Sequence, residues 1–520
     1  MSVRNINLKN CYLGIELGST RIKACLTDGN LQPIASGAYQ WENKLEGGYW
    51  TYSLEEIRGG VRAAFASLKT DVFEKYGVPL TELGAIGISG MMHGYLPFDK
   101  EDNLLVPFRT WRNTTAGRAG KELTELFNFK IPQRWSIAHL YQAMLDREEH
   151  VERVAHITTV GGYIHYLLTG KWEIGIGEGS GIFPVKNGDY DAEMLSKFSS
   201  LVEKSGYPWR ICEILPAVKA TGSSESTLTE SGARFLDESG ELTAGIPICP
   251  PEGDVQTGLV ATNSIKVTEG SVSAGTSVFC MLVLKEPLKA PHKEIDIQAA
   301  PNGYPVAIVH SNNGCSELDL WVNMFSSFAT LIGKDIDKST LYETLYNNAL
   351  SADADCGEVV SYNCLAPDPV AGLQNANPLY FRTTESKLNL GNFFRSQINA
   401  TFAPVKIGVD ILKEREGVAP THINAHGGLF KVKGVAAQLL SDMISVPVSV
   451  SSSAGEGGAW GMSLLAAYSV LGKGERLEDW LDRCAFGSVE KYTVEPQAKG
   501  EAGSQKYFEL YKDRIGRLFN

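Results

Sequence analysis

Residues 13–28, LGIELGSTRIKACLTD, set two β-rich runs on either side of a turn of small residues, Gly18, Ser19 and Thr20. Backbone N–H groups converging at such a turn form a concave anion site, to which the hydroxyls and Lys23 add donors and positive charge. The carboxylate of Glu16, just ahead of the turn, is placed to hold Mg²⁺ through water. By itself the stretch describes an edge hairpin equally well. Residues 271–284, SVSAGTSVFCMLVL, repeat the pattern, with Gly275, Thr276 and Ser277 between two further β-rich runs. Two phosphate-holding hairpins facing one cleft imply ATP binding by a protein built from duplicated halves.

A chain of 520 residues is too long for a single core, and two large domains are expected, residues 1–258 and 259–520. The formal charge of −12 argues against nucleic acid or an anionic membrane as partner, since either calls for a basic patch. With 43% hydrophobic and 21% charged residues, the composition is that of a globular protein, and no apolar run reaches the roughly 18–20 residues of a membrane span. The first residues, MSVRNINLKN, hold no apolar signal core. The nine cysteines are scattered without metal-ligand spacing, as expected of buried thiols in a reducing cytoplasm. The expected partners are a small molecule and, at most, a second copy of the chain.

Farther along, PIASGAYQW completes an antiparallel meander, a helix is expected from Ser53 to about Tyr76, and GAIGISG (84–90) reads as a buried strand. Residues 121–170 are mostly helical in pattern and 209–250 are rich in loops. HINAHGG (422–428) reads as a strand running into a glycine pair, followed by an amphipathic helix, the strand VPVSVS and a helix from about Glu456. Strands alternating with helices predict an α/β fold with a mixed sheet covered on both faces.

One acid stands between glycines just before the second hairpin: Asp254, in PEGDVQTG (251–258). Phosphoryl transfer to an alcohol needs an acceptor for the hydroxyl proton, and Asp254 is the candidate. An Asp that merely fixes its own turn is the competing reading. GxxxxGK[ST] is absent, which excludes a P-loop. The run GIGEGSG (175–181) lacks dinucleotide spacing and reads as a sugar-proximal or hinge loop. His422 and His426 lack a third ligand and read as structural. His93 follows an apolar strand, and Trp111 offers an indole face; each reads either as core or as a sugar contact.

The order LGIELGSTRIK, GISGMMHG, EGDVQTG, SAGTSV, and AHGG with its following helix and EGGAWG, resembles the FGGY carbohydrate kinases. That resemblance implies a two-domain ATPase fold of the actin, hexokinase and Hsp70 type (ribonuclease H-like) with a central cleft. GISGMMHG followed by RTWRN is most similar to the xylulokinase branch, and implies that Met92, His93, Trp111 and Asn113 line the sugar pocket. It further implies that Gly18, Ser19, Thr20, Lys23, Gly275 and Thr276 hold phosphate, and that Gly427 and Gly428 let the nucleotide lie against the backbone. Asp254 matches the base and, with Glu16, a Mg²⁺ ligand; the implied cosubstrates are ATP and Mg²⁺. The chain departs from the family pattern at Glu16, where Asp is usual, at Asn113, Thr51 and Ser53, where acids are expected, and near Lys433, where an Asn is common. The expected activity is phosphorylation of a ketose, most simply a pentulose such as xylulose or ribulose. Other ketoses, polyols such as glycerol or erythritol, and a weakly catalytic sugar-sensing ATPase are the alternatives. The three missing acids predict a ketose other than D-xylulose, with L-ribulose or L-xylulose leading.

Overall fold

Gly14 and Gly37 explain how the meander becomes the centre of a sandwich. The strands Tyr12–Leu17, Arg21–Thr27 and Pro33–Gln40 pair antiparallel in sequence order. On one face, a Cβ on Gly37 would sit 2.2 Å from the carbonyl oxygen of Ala64, in the helix Leu54–Tyr76. On the other, a Cβ on Gly14 would sit 2.1 Å from the carbonyl oxygen of Ala459, in the helix Gly457–Leu471. Only glycine lets helix backbones approach a sheet this closely.

The computed structural model describes residues 6–375, 377–452 and 457–518. The chain forms two units: Met1–Ile265 with Ile297–Pro305 and Glu456–Ser488, and Lys266–Asp296 with Val306–Gly455 and Val489–Asn520. A single division near residue 258 is therefore corrected, because two later segments return to the first unit. The helix expected from about Glu456 begins, among the described residues, at Gly457; Glu456 lies outside them.

In the first unit, the strand Ala85–Gly90 lies parallel to Tyr12–Leu17, and the short strands Pro247–Ile248 and Glu252–Gly253 lie parallel to Ala85–Gly90. Leu13, Ile15, Ile86 and Ile88 are fully buried there, as expected of strands covered on both faces. The stretch 121–170 yields the helices Gly117–Phe127, Ser136–Leu145 and Val160–Thr169, interrupted by the strand His156–Thr158. A separate cluster around Trp135, Phe183 and Ile211 forms their core.

In the second unit, the strands run in the order Pro305–Ser311, Val278–Val283, Glu269–Ala274, His422–His426, Val448–Ser451 and Lys491–Val494. Glu269–Ala274, His422–His426 and Val448–Ser451 are mutually parallel, and the second hairpin is antiparallel. The two units thus repeat one plan: an antiparallel hairpin whose first strand continues into parallel neighbours. Among the described residues no helix is long and apolar enough to cross a membrane.

Candidate active site

Three parallel strands of the first unit end side by side. Glu16 pairs in register with Ser89, and Glu252 with Ser89 from the other side, so Glu16, Met92 and Asp254 gather at their carboxyl ends, where open α/β sheets bind ligands. Asp254 is the first residue of the helix Asp254–Ala261. Its Oδ1 accepts the N–H of Val255 at 3.0 Å and that of Met92 at 3.3 Å. Asp254 is half-buried. Burial pushes it up to about 6, helped by the negative charge of Glu16 and opposed by the Met92 and Val255 N–H groups.

Glu16 lies against a cradle that a side chain would fill: a Cβ on Gly458 would be 2.6 Å from its Oε1. Its Oε2 is buried without a hydrogen-bond donor, and the Lys23 ammonium stands 3.9 Å away. Burial raises this carboxyl, with Lys23 and the Ala459 N–H acting the other way. The first hairpin turn is braced from outside. Gly18 accepts from the Trp41 indole at 2.7 Å, the Ser19 carbonyl from the Tyr52 hydroxyl at 2.5 Å, and the Ser19 hydroxyl from the Trp111 indole at 3.3 Å. Trp111, 39% exposed, therefore stands beside the turn. Thr20 is exposed and Lys23 largely so.

Sequence reasoning missed a layer of buried amides and acids beneath Asp254. Glu178, in the GIGEGSG run, is completely buried with no donor to either carboxyl oxygen, and Gln256 Oε1 is buried and equally unpartnered. A Cβ on Gly253 would lie 2.6 Å from Glu178 Oε2 and 2.5 Å from Gln256 Oε1, so both lone acceptors converge on that glycine. A proton on Glu178 turns one of them into a donor. Burial holds Glu178 well above the usual carboxylate range, reinforced by Asp254 and Glu252. Glu252 accepts from the N–H of Glu178 at 2.9 Å, and burial pushes it up to about 7. The signal was an acid inside a glycine run, a place where solvated acids are not needed.

Several of the expected sugar-side residues have partners within the protein. His93 was expected to meet a sugar hydroxyl, but its Nδ1 donates to the Gly181 carbonyl at 3.1 Å and its Nε2 accepts from the Gln298 amide at 3.1 Å. Both ring nitrogens are thus committed, and His93 ties the glycine run to Gln298, with φ of +69°. Asn113 was expected to line the sugar pocket in place of an acid. Its Oδ1 instead accepts from the Trp50 N–H at 2.8 Å, and its Nδ2 donates to the Trp50 and Thr110 carbonyls at 2.8 and 3.0 Å. Ser53 caps the helix Leu54–Tyr76 in a capping box with Glu56, and Thr51 is buried with its hydroxyl on the Tyr52 carbonyl. All three positions are occupied by framework bonds. Met92 offers Asp254 its backbone, while its side chain is buried.

The second unit holds a cavity of about 670 Å³ whose lining includes Gly275, Thr276, Ser316, Gly428, Lys431 and Lys433. Its floor is backbone against backbone. Gly314 and Cys315 donate their N–H groups to the Thr276 and Gly275 carbonyls at 2.8 and 2.7 Å, and a Cβ on Gly314 would be 2.2 Å from the Gly275 oxygen. Gly427 has φ of +105°, and a Cβ there would be 2.4 Å from the Ala274 oxygen. Nothing lies within 4 Å of where a Cβ would stand on Gly275 or Gly428. Four of the expected nucleotide residues thus come together, with Lys431 and Lys433 as the cationic edge; Lys433 also lies over the Tyr492 ring at 5.4 Å.

Among the described residues, no group of three or more His, Cys, Asp or Glu is placed to hold a metal ion. Glu16 and Asp254 alone therefore suit a cation that arrives with its own phosphate and water ligands, the usual manner of Mg²⁺.

Comparison with known proteins agrees with this geometry. Residues 11–261 match the N-terminal domain of the FGGY family of carbohydrate kinases, and residues 270–470 its C-terminal domain. The xylulose kinase of Haemophilus influenzae is 21% identical over 535 residues, spanning 98% of this chain and 100% of that one. The solved xylulose kinase of Lactobacillus acidophilus superposes with a TM-score of 0.78 at 18% identity, over 97% of this chain and 98% of that one. A gluconate kinase of the same organism gives 0.78 at 18%, over 98% of each chain. At such identities the structures share the fold, which is the two-domain actin and hexokinase type. On the strength of both domain matches, the chain belongs to the FGGY family of carbohydrate kinases and is an ATP-dependent sugar kinase.

Proposed function

We propose that this kinase transfers the γ-phosphoryl group of MgATP to a primary hydroxyl of a ketose, a pentulose such as xylulose or ribulose, with Asp254 as general base. The observation that carries the reading is Asp254 itself: a half-open carboxylate at the strand ends, oriented by the Met92 and Val255 N–H groups and raised to about 6. A base poised just below neutral is ionised at pH 7 and still accepts a proton readily. The sugar hydroxyl gives its proton to Asp254 Oδ as its oxygen bonds to the γ-phosphorus and the bond to the β-phosphate oxygen breaks, leaving ADP. Magnesium, when bound with the nucleotide, neutralises the triphosphate; Glu16, with one unpartnered oxygen, and Asp254 would face it. Thr276, Gly275, Gly427 and Gly428 would receive the nucleotide, and Gly18, Ser19, Thr20 and Lys23 the transferred phosphate, with Trp111 beside that turn.

The Haemophilus influenzae relative, a xylulose kinase, supports the choice of a pentulose, and the gluconate kinase neighbour is the reason for including aldonates among the competing substrates. ADP release measured across a panel of ketopentoses, ketohexoses, polyols and aldonates tests it. The reading predicts the highest kcat/KM for a ketopentose, and a polyol or aldonate that exceeds every ketopentose overturns it.

A further inference from the structure

Glu178, Gln256, Gln298 and His93 form a run of buried polar side chains in the first unit, and two backbone carbonyls fix the sense of its hydrogen bonds. The His93 Nδ1 faces the Gly181 carbonyl at 3.1 Å and so carries the ring proton, which leaves Nε2 to accept from the Gln298 amide at 3.1 Å. Gln256 Nε2 faces the Ala299 carbonyl at 2.8 Å and Gln298 Oε1 at 3.5 Å. Turning this amide end for end would set oxygen against oxygen, so its Oε1 is committed to the opposite side. There it has no donor. Glu178, completely buried, has no hydrogen bond to either carboxyl oxygen, and its Oε2 and Gln256 Oε1 crowd the same spot beside Gly253. Two acceptors brought together in a buried site lack one thing, a proton.

We infer that Glu178 is held as the neutral carboxylic acid, donating a hydrogen bond to Gln256 Oε1, and that it acts as a positioning residue for Asp254. With that proton every bond runs the same way: Glu178 to Gln256, Gln256 to Gln298, Gln298 to His93, His93 to the Gly181 carbonyl, and the Gly181 N–H back to the Glu178 carbonyl at 2.9 Å. Hydrogen bonds chained in one sense polarise and strengthen one another. The loop reaches the setting of Asp254 by two routes. Met92 Cγ, Gln256 Oε1 and Glu178 Oε2 stand 2.3, 2.5 and 2.6 Å from where a Cβ on Gly253 would be, so they are the bed on which the residue before Asp254 rests. His93, with φ of +69°, takes a backbone conformation that a side chain disfavours, and its bonds to Gly181 and Gln298 hold it there. It directly follows Met92, whose N–H orients Asp254 Oδ1. An ionised Glu178 would repel Gln256 Oε1, and the amide could turn away only by giving up Ala299 and Gln298, and with them the grip on His93. The charges that bear on Glu178, those of Asp254 and Glu252, are both negative and oppose a third. The role given to Glu178 rests on the reading of Asp254 as the base.

Two measurements on the full chain test the inference. Infrared difference spectra, wild type minus Glu178→Gln, are taken at about pH 8, well above the ordinary carboxyl range. They are expected to show the carbonyl stretch of a protonated carboxyl, and carboxylate bands in its place overturn the neutral acid. Steady-state kinetics, with ATP and whichever compound of the substrate panel has the highest kcat/KM, test the positioning. Glu178→Leu is expected to lower kcat about 10²-fold with the sugar KM nearly unchanged, the mark of a misplacement felt in the transition state. Glu178→Gln, an uncharged donor of the same length, is expected to recover at least about tenfold of that loss. A leucine variant with wild-type kcat, or a glutamine variant as slow as the leucine one, overturns the role. If Glu178→Leu does not unfold cooperatively, Gln256→Met, which removes the acceptor and keeps the volume, carries the same expectation and is overturned by the same result. Asp254→Asn tests the base separately, and the infrared band depends on the Glu178 proton alone, so failure of one reading is told from failure of the other.

Discussion

The Met92 N–H reaches the Asp254 carboxylate at 3.3 Å across 162 residues of chain. The contact exists because the strands preceding the two residues are neighbours in register, Gly90 beside Gly253. It fixes one oxygen of Asp254 and lowers the cost of its charge, against the burial that raises it. The chemistry assigned to Asp254 therefore has a pH signature.

The base is competent only when ionised, so kcat/KM should be level above pH 7 and fall about tenfold per pH unit below an apparent pKa near 6. Glu16→Gln removes the negative neighbour and should move that acid limb to lower pH, whatever it does to the plateau. Asp254→Asn should cut turnover by about 10²–10⁴ with the melting temperature nearly unchanged. Turnover above a tenth of wild type would take the base role away from Asp254.

Thr276 is exposed within the cavity of the second unit. Thr276→Val keeps the shape and deletes the hydroxyl, and should raise KM for ATP by about tenfold, the worth of one hydrogen bond to a charged oxygen. Calorimetric titration of sugar without nucleotide should be unaffected; an equal loss there would separate Thr276 from nucleotide binding.

For Asn113→Asp the structure reverses the simplest expectation. The substitution would set a carboxylate oxygen against the Trp50 and Thr110 carbonyls that now receive the amide. It should cost about 1–3 kcal/mol in urea unfolding and leave the order of preference among ketoses unchanged. A shift toward D-xylulose without loss of stability would restore Asn113 to the sugar pocket.

His139 is completely buried, and neither ring nitrogen has a hydrogen bond. Burial, with Arg109 nearby, holds its pKa at about 3, below the unfolded value, so the unfolded chain binds more protons as pH falls. Its contribution to stability is complete above the unfolded pKa near 6.5 and is lost on acidification, about 2 kcal/mol of it by pH 5. His139→Gln should flatten the dependence of unfolding free energy on pH between 7 and 5, and an unchanged slope would count against the assignment.

Both hairpins, the strand 85–90 and the position of Asp254 were legible because each is a local pattern: small residues at a turn, apolar runs beside it, an acid among glycines. The layer below Asp254 was not, since Glu178, Gln256 and Gln298 meet only through long-range packing and none carries a motif. Ser53 was legible in one respect. Its S-x-x-E spacing with Glu56 marks the helix start that the sequence places at Ser53, and this cap, which the family pattern of an acid does not convey, is what uses its hydroxyl. The partners of His93 and Asn113 were illegible for one reason: sequence locates a polar side chain and does not tell what already satisfies it.

The helix Gly457–Leu471 covers the sheet face at Gly14 and Gly87, where a Cβ on Gly87 would be 2.6 Å from Met462 Cε. On the ribosome, the strand Tyr12–Leu17 emerges roughly 450 residues before the helix that covers it, an interval of some tens of seconds at 5–20 residues per second. During that time one face of the N-terminal sheet is bare, and the first unit stays incomplete until almost the whole chain has been made. Translation stalled before Gly457 therefore releases a sticky half-sandwich and not a folded N-terminal domain, which makes the nascent chain a client for chaperones and the isolated first 265 residues a poor candidate for separate expression.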